Sequence, residues 1–195
     1  MFAKRRNFLL TMSILAMGGS YPLVYSAPAP MNEQQFWKIV GEVKDEAALD
    51  VNARPAALER RLMALQPQAI QRFQVRYEAL LLEANRWDLW GAAYLMNGGC
   101  SDDGFKYFRD WLISEGEKSF KAALKNPDSL ATFARRDFFD LESFGYAALK
   151  AYAAKGAGEL DRDFKVEFAA PAGEEWVEAD LPKLLPMLAA KYPMN

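Results

Sequence analysis

Histidine is absent from the 195-residue chain and cysteine occurs once, at Cys100. Without an imidazole, Ser-His-Asp and Cys-His catalysis, His-ligated zinc and histidine-based pH switching are all excluded. A single cysteine closes no intramolecular disulfide and forms no CxxC pair, so it assigns no redox compartment. No internal repeat and no low-complexity stretch interrupts the sequence. With 51% apolar and 13% aromatic residues, a chain of this length buries one substantial core, which predicts a single domain.

Acidic residues are missing from positions 1–30, where Lys4, Arg5 and Arg6 stand before an uncharged stretch from Asn7 to Pro30. Its apolar part, FLLTMSILAMGG, has the length of a signal-peptide core and is too short to span a bilayer. This pattern predicts an export leader, with Val24-Tyr25-Ser26 as the cleavage site and a mature start near Ala27. The expected destination is the periplasm or the medium. Arg5-Arg6-Asn7-Phe8-Leu9-Leu10 also resembles a twin-arginine signal in part, although Lys4 occupies a position where Ser or Thr is usual. Two other readings stay open: an uncleaved N-terminal anchor, and translation from Met31, which would leave a cytoplasmic protein.

Residues 31–195 hold 21 basic and 26 acidic side chains, a net of −5. The cations are interspersed with acids, so no nucleic-acid surface is expected. No stable membrane span is expected once the leader is removed.

Hydrophobic spacing predicts a mainly α fold, a compact multi-helix domain. Phe36, Ile39, Val40 and Val43 mark a helix from about Glu33 to Ala47 with Asn32 as its cap. Pro55 opens a helix through Leu58, Leu62 and Leu65, and Pro67 opens another through Ile70, Phe73, Tyr77 and Leu81. Leu89 to Met96 is apolar nearly all round, as a central buried helix would be. It stops at Asn97-Gly98-Gly99, after which Ser101 or Asp102 caps a helix carrying Phe105, Phe108 and Trp111. Shorter helices are predicted at Glu117 to Leu124 and Asp128 to Ala134, then a stronger one from Leu141 to Tyr152. Phe164, Val166 and Phe168 alternate with Lys165 and Glu167, predicting a short β or extended segment lying as an edge ribbon or packed tail. The Pro-rich tail ends in a helix near Leu181 to Ala190.

Three stretches, MNEQQFW from Met31, RWDLWGAAYLMNGGCSDDGFKYFRDWLISEG from Arg86 and ESFGYAALKAY from Glu142, resemble the bacterial family catalogued as domain of unknown function 4240. The resemblance covers roughly Met31 to Tyr152. It implies a mostly helical single domain with a turn at Asn97 to Gly99, and it supplies no activity, substrate or cofactor. Family members begin near the equivalent of Met31 and look cytosolic, so the leader departs from the family's pattern.

Candidate chemistry concentrates between Trp87 and Trp111. Asn97, Asp102 and Asp103 could gather oxygen ligands for a hard cation, but they lack the acid spacing of a calcium loop and equally suit helix capping. The free amides after Gly98-Gly99 could hold an anion, which the two aspartates would repel. Cys100 precedes a helix N-terminus yet has no histidine base, and packs equally well as a small core residue. Arg109, Asp110 and Glu142 could form a carboxylate acid/base site with a cationic partner, or structural ion pairs. Trp87, Trp90, Tyr94 and Trp111 could line a ligand slot or form ordinary core.

The residue set calls for no cofactor and no metal. The expected role is non-catalytic binding of a protein or small molecule through Asn97, Arg109, Trp87 and Trp90. The alternatives are a carboxylate-based or metal-assisted hydrolase using Asp102, Asp103 and Glu142, and an immunity-type protein that masks a toxin.

Overall fold

A computed structural model describes residues 28–194. The export leader predicted for residues 1–30 lies almost entirely outside the described residues. The first helix, α1 (Glu33–Ala47), starts where the sequence places it, because Asn32 Oδ1 accepts from Gln34 N at 2.9 Å and fills an amide vacancy that every helix start leaves. Its apolar stripe, Phe36, Trp37, Val40 and Val43, is buried. Proline at the first or second position opens both α2 (Arg54–Met63) and α3 (Pro67–Glu83), where the missing N–H costs nothing.

The central helix α4 (Trp87–Asn97) ends on Gly98 in the left-handed conformation (φ 68°), which a side chain would disfavour. The following helix, α5 (Asp102–Ser114), is capped by Ser101, whose Oγ accepts from Gly104 N at 3.1 Å. Next come α6 (Glu117–Lys125) and a 3-10 stretch at Pro127–Thr132, where a regular helix was expected. The helix predicted from Leu141 to Tyr152 is two, α7 (Glu142–Gly145) and α8 (Ala147–Ala154), broken at Tyr146.

Residues 164–168 correct the expected β segment. They form one helical turn, α9 (Lys165–Phe168), held locally by Ala169 N to Lys165 O at 2.9 Å and by Asp163 Oδ1, which accepts from Lys165 N. Alternation misled because Val166 is buried whereas Phe164 and Phe168 are both exposed, and among the described residues no neighbouring strand offers a ladder. Among the described residues there is no sheet, only an isolated parallel bridge between Arg86 and Ala172. The chain closes with α10 (Leu181–Leu184) and α11 (Pro186–Lys191), a pair of short helices where one was expected.

The domain is therefore mainly helical. Helix α2 packs against α1 and α8, α3 against α8 and α5, and α5 against α7, while α11 lies on the 3-10 stretch and α4. Two aromatic files fill the centre: Phe36, Phe73, Tyr77 and Phe144 under α1 and α3, and Phe105, Phe108, Trp111 and Phe139 along α5. Each fully buried aromatic stabilises by roughly 1.5–3 kcal/mol, so these files define the core. No described helix is long and apolar enough to cross a membrane.

Candidate functional site

The turn between α4 and α5 puts its polar residues to structural use. Asn97 clasps the backbone of Phe139 at two points, accepting from its N–H at 2.8 Å and donating to its carbonyl at 3.5 Å. This ties the α4 terminus to the segment before α7. Asp102 and Asp103 lie exposed in the first turn of α5, where their charge complements the helix dipole. Cys100 is half-buried, and desolvation pushes its thiol up to about 12 against a weaker pull from Arg109. The thiol is thus protonated at neutral pH and a poor nucleophile.

Arg109 and Asp110, adjacent in sequence, face different partners. Arg109 is 4% exposed; it donates to Leu81 O at 2.9 Å and its guanidinium lies over the Phe105 ring at 4.7 Å. Burial lowers it to about 10, so it stays charged at neutral pH. Asp110 accepts a short hydrogen bond from the Tyr77 hydroxyl beneath Gly145, and burial raises its carboxyl to about 7. Glu142 is exposed and accepts from Tyr146 Oη at 2.9 Å; its hydrogen bond with Tyr107 pushes that phenol up to about 12. Among the described residues, no three carboxylate or thiol side chains group as a metal-holding set.

Trp87 and Trp90 stack at 5.1 Å, and Trp90 stacks again on Phe105 at 5.0 Å. Trp90 Nε1 donates to Cys100 O, and Trp111 is wholly buried against Phe139. Trp87 also meets a residue that sequence reasoning passed over. Trp176, in the tail, meets Trp87 edge-on at 6.3 Å and donates from Nε1 to Trp87 O at 2.8 Å.

Trp176, but not Trp87, lines a groove of about 660 Å³, which runs between the start of α4, the α6 terminus and the tail from Ala172 to Leu185. Two smaller hollows, about 360 and 600 Å³, lie beside α3 and the 159–165 loop. None of the three is lined by any residue the sequence singled out for binding or catalysis: not Asn97, Arg109, Trp87 or Trp90, and not Asp102, Asp103 or Glu142.

Residues 31–154 match the family described as "Protein of unknown function (DUF4240)". The chain belongs to the DUF4240 family. No curated protein and no solved structure matches it significantly. The groove straddles the edge of the DUF4240 match, with Arg86, Asp88, Gly91 and Pro127 inside it and the tail wall outside.

The tail is fastened to the DUF4240 region along its length. Asn85 O accepts from Ala172 N, Trp87 N donates to Ala172 O, and Asn85 Nδ2 donates to Ala169 O, all within 2.9 Å. Leu181 drops into the space left by Gly91: a methyl group placed there would stand 2.8 Å from Leu181 Cδ2 and 3.3 Å from the Trp176 ring. Further on, the buried Asp128 carboxylate receives Met187 N at 3.0 Å and Leu188 N at 2.8 Å, capping α11. Two signals for this arrangement were in the sequence: a glycine in the middle of an otherwise bulky helix, and a lone tryptophan in the acidic run GEEWVEAD.

Proposed function

We propose that the chain is a non-catalytic binding domain whose groove between α4 and the tail receives a segment of another protein. The observation that carries this reading is a cleft of about 660 Å³ rimmed by apolar side chains left in water, with Val177 65% and Leu184 59% exposed. Binding sites combine such apolar surface with a few polar groups, and exposed apolar residues grouped along a cleft mark an interaction site. The carboxylates first suspected of catalysis, Asp102, Asp103 and Glu142, line none of the three cavities.

A selection from an unbiased displayed-peptide library on the full chain tests the reading. Enriched peptides should lose binding to a Val177→Ser/Leu184→Ser double variant that stays folded. Enrichment of nothing, or of peptides indifferent to that variant, would refute it. We also propose that residues 1–26 direct export, supported by Lys4, Arg5 and Arg6 ahead of the apolar run. Sequencing the N-terminus of native protein tests this, since a start near Ala27 agrees with export and a start at Met31 overturns it.

A further inference from the structure

Six charged side chains line the groove: Arg86, Asp88, Glu174, Glu175, Asp180 and Lys183. Four are satisfied within the chain. Arg86 forms a close two-point pair with Asp88 and also donates to Leu124 O at 2.8 Å, and Lys183 pairs with Asp180 at 3.3 Å. Glu178, next to the groove, is hydrogen-bonded to the Tyr94 phenol. Glu174 and Glu175 are exposed and, among the described residues, have neither an ion pair nor a side-chain hydrogen bond. The groove therefore presents a net charge of −2 that belongs wholly to two neighbouring carboxylates on its tail wall.

The same wall has unused main chain. Among the described residues, the backbone N–H and C=O groups of Glu174, Glu175 and Trp176 pair with no other backbone group, although the tail is tied down on one side at Ala172 and resumes helical bonding at Asp180 N to Val177 O. A fastened segment with open amides and carbonyls is the kind of edge to which an extended peptide adds by main-chain hydrogen bonds. Trp176 and Leu184 stand beside it as apolar surface for alternate side chains.

We infer that the groove takes an extended peptide segment carrying lysine or arginine between aliphatic residues, its main chain pairing along Glu174–Trp176, its cations meeting Glu174 and Glu175, and its aliphatic side chains lying on Trp176 and Leu184. This rests on the groove being a binding site. Two surface carboxylates set the sign of the partner and contribute modestly to affinity, since exposed pairs are weak and screened by salt. A free diamine would meet the carboxylates but leave the main-chain edge and the apolar wall empty.

Calorimetric titration of the full chain, with Trp176 indole N–H followed by NMR, tests the inference. The probes are a nonapeptide of three lysines and three leucines on a serine background, the same peptide with glutamate for lysine, and cadaverine. The basic peptide should bind and displace the Trp176 resonance, and a Glu174→Gln/Glu175→Gln variant should weaken it about tenfold. Asp45→Asn, on the distant α1, should change nothing. Equal binding of the acidic peptide, or an unaltered affinity in the double variant, overturns the cationic assignment while leaving a groove that moves Trp176. An equal displacement by cadaverine overturns the peptide. No binding by any probe overturns the inference, and the library selection then decides separately whether the groove binds at all.

Discussion

Gly91→Ala should fail to stabilise the protein, although it replaces the residue type that, proline aside, weakens a helix interior most. By propensity alone, alanine for glycine inside α4 gains about 0.5–1 kcal/mol. At Gly91 the new methyl would meet Leu181 Cδ2 at 2.8 Å and the Trp176 ring at 3.3 Å. The first separation is shorter than carbon contacts permit. Leu181 is fully buried and cannot swing away freely, so overpacking costs about 1–3 kcal/mol.

An internal reference makes the comparison clean. Gly41 lies in α1 with a negative φ and nothing within 4 Å of an added methyl, so Gly41→Ala should show the propensity gain unopposed. The expected difference between the variants is about 1–3 kcal/mol, or roughly 2–12 °C in Tm for a domain of this size. Thermal unfolding of both variants reads it. Hydrogen exchange adds the location, because the strain falls on the tail: amides of Ala172 and of α10 and α11 should exchange faster in Gly91→Ala while α1 to α3 stay protected. If Gly91→Ala proves as stabilising as Gly41→Ala, the tail is not seated on α4 as described.

Three further outcomes follow from groups wholly or partly removed from water. Asp110 is held at about 7 against an ordinary 3.8, so the folded state retains a proton that the unfolded state loses; the contribution of this group to stability is fully present below about pH 4 and is lost as pH rises through 7. Asp110→Asn should remove that decline, so urea midpoints at pH 4.5 and pH 8 should converge relative to wild type, and an unchanged pH slope would contradict the assignment. Asp128→Ala removes the carboxylate that receives Met187 N and Leu188 N, which should cost about 1–2 kcal/mol and speed exchange across α11; full protection there would count against the cap. Cys100, pushed to about 12, should be alkylated by iodoacetamide at pH 8 far more slowly than glutathione, with a thiolate fraction lower by roughly a thousandfold, and a rate like that of free thiol would refute the burial argument.

What the sequence made legible divides along local and long-range physics. Helix starts at Asn32, Pro55, Pro67 and Ser101, and the stop at Gly98, are decided within one turn of chain, and spacing shows them. Residues 164–168 failed because alternation specifies a strand only where another strand is present to pair with. Trp87 and Trp90 form a stack, as an aromatic cluster would suggest, but neither lines the groove, whose tryptophan is Trp176, 86 residues beyond Trp90. No local pattern links Gly91 to Leu181 or Asp128 to Leu188. Each pair is a small vacancy or open acceptor in one segment matched to a group in another, and that matching exists only once the tail crosses α4. The tail thus turns a helix start in the DUF4240 region into one side of a groove, and Glu174 and Glu175 lie in the part of the chain that the family match does not cover. On the proposed binding role, the tail sets partner preference, and DUF4240 chains with different tails should offer the same helical floor to partners of different charge.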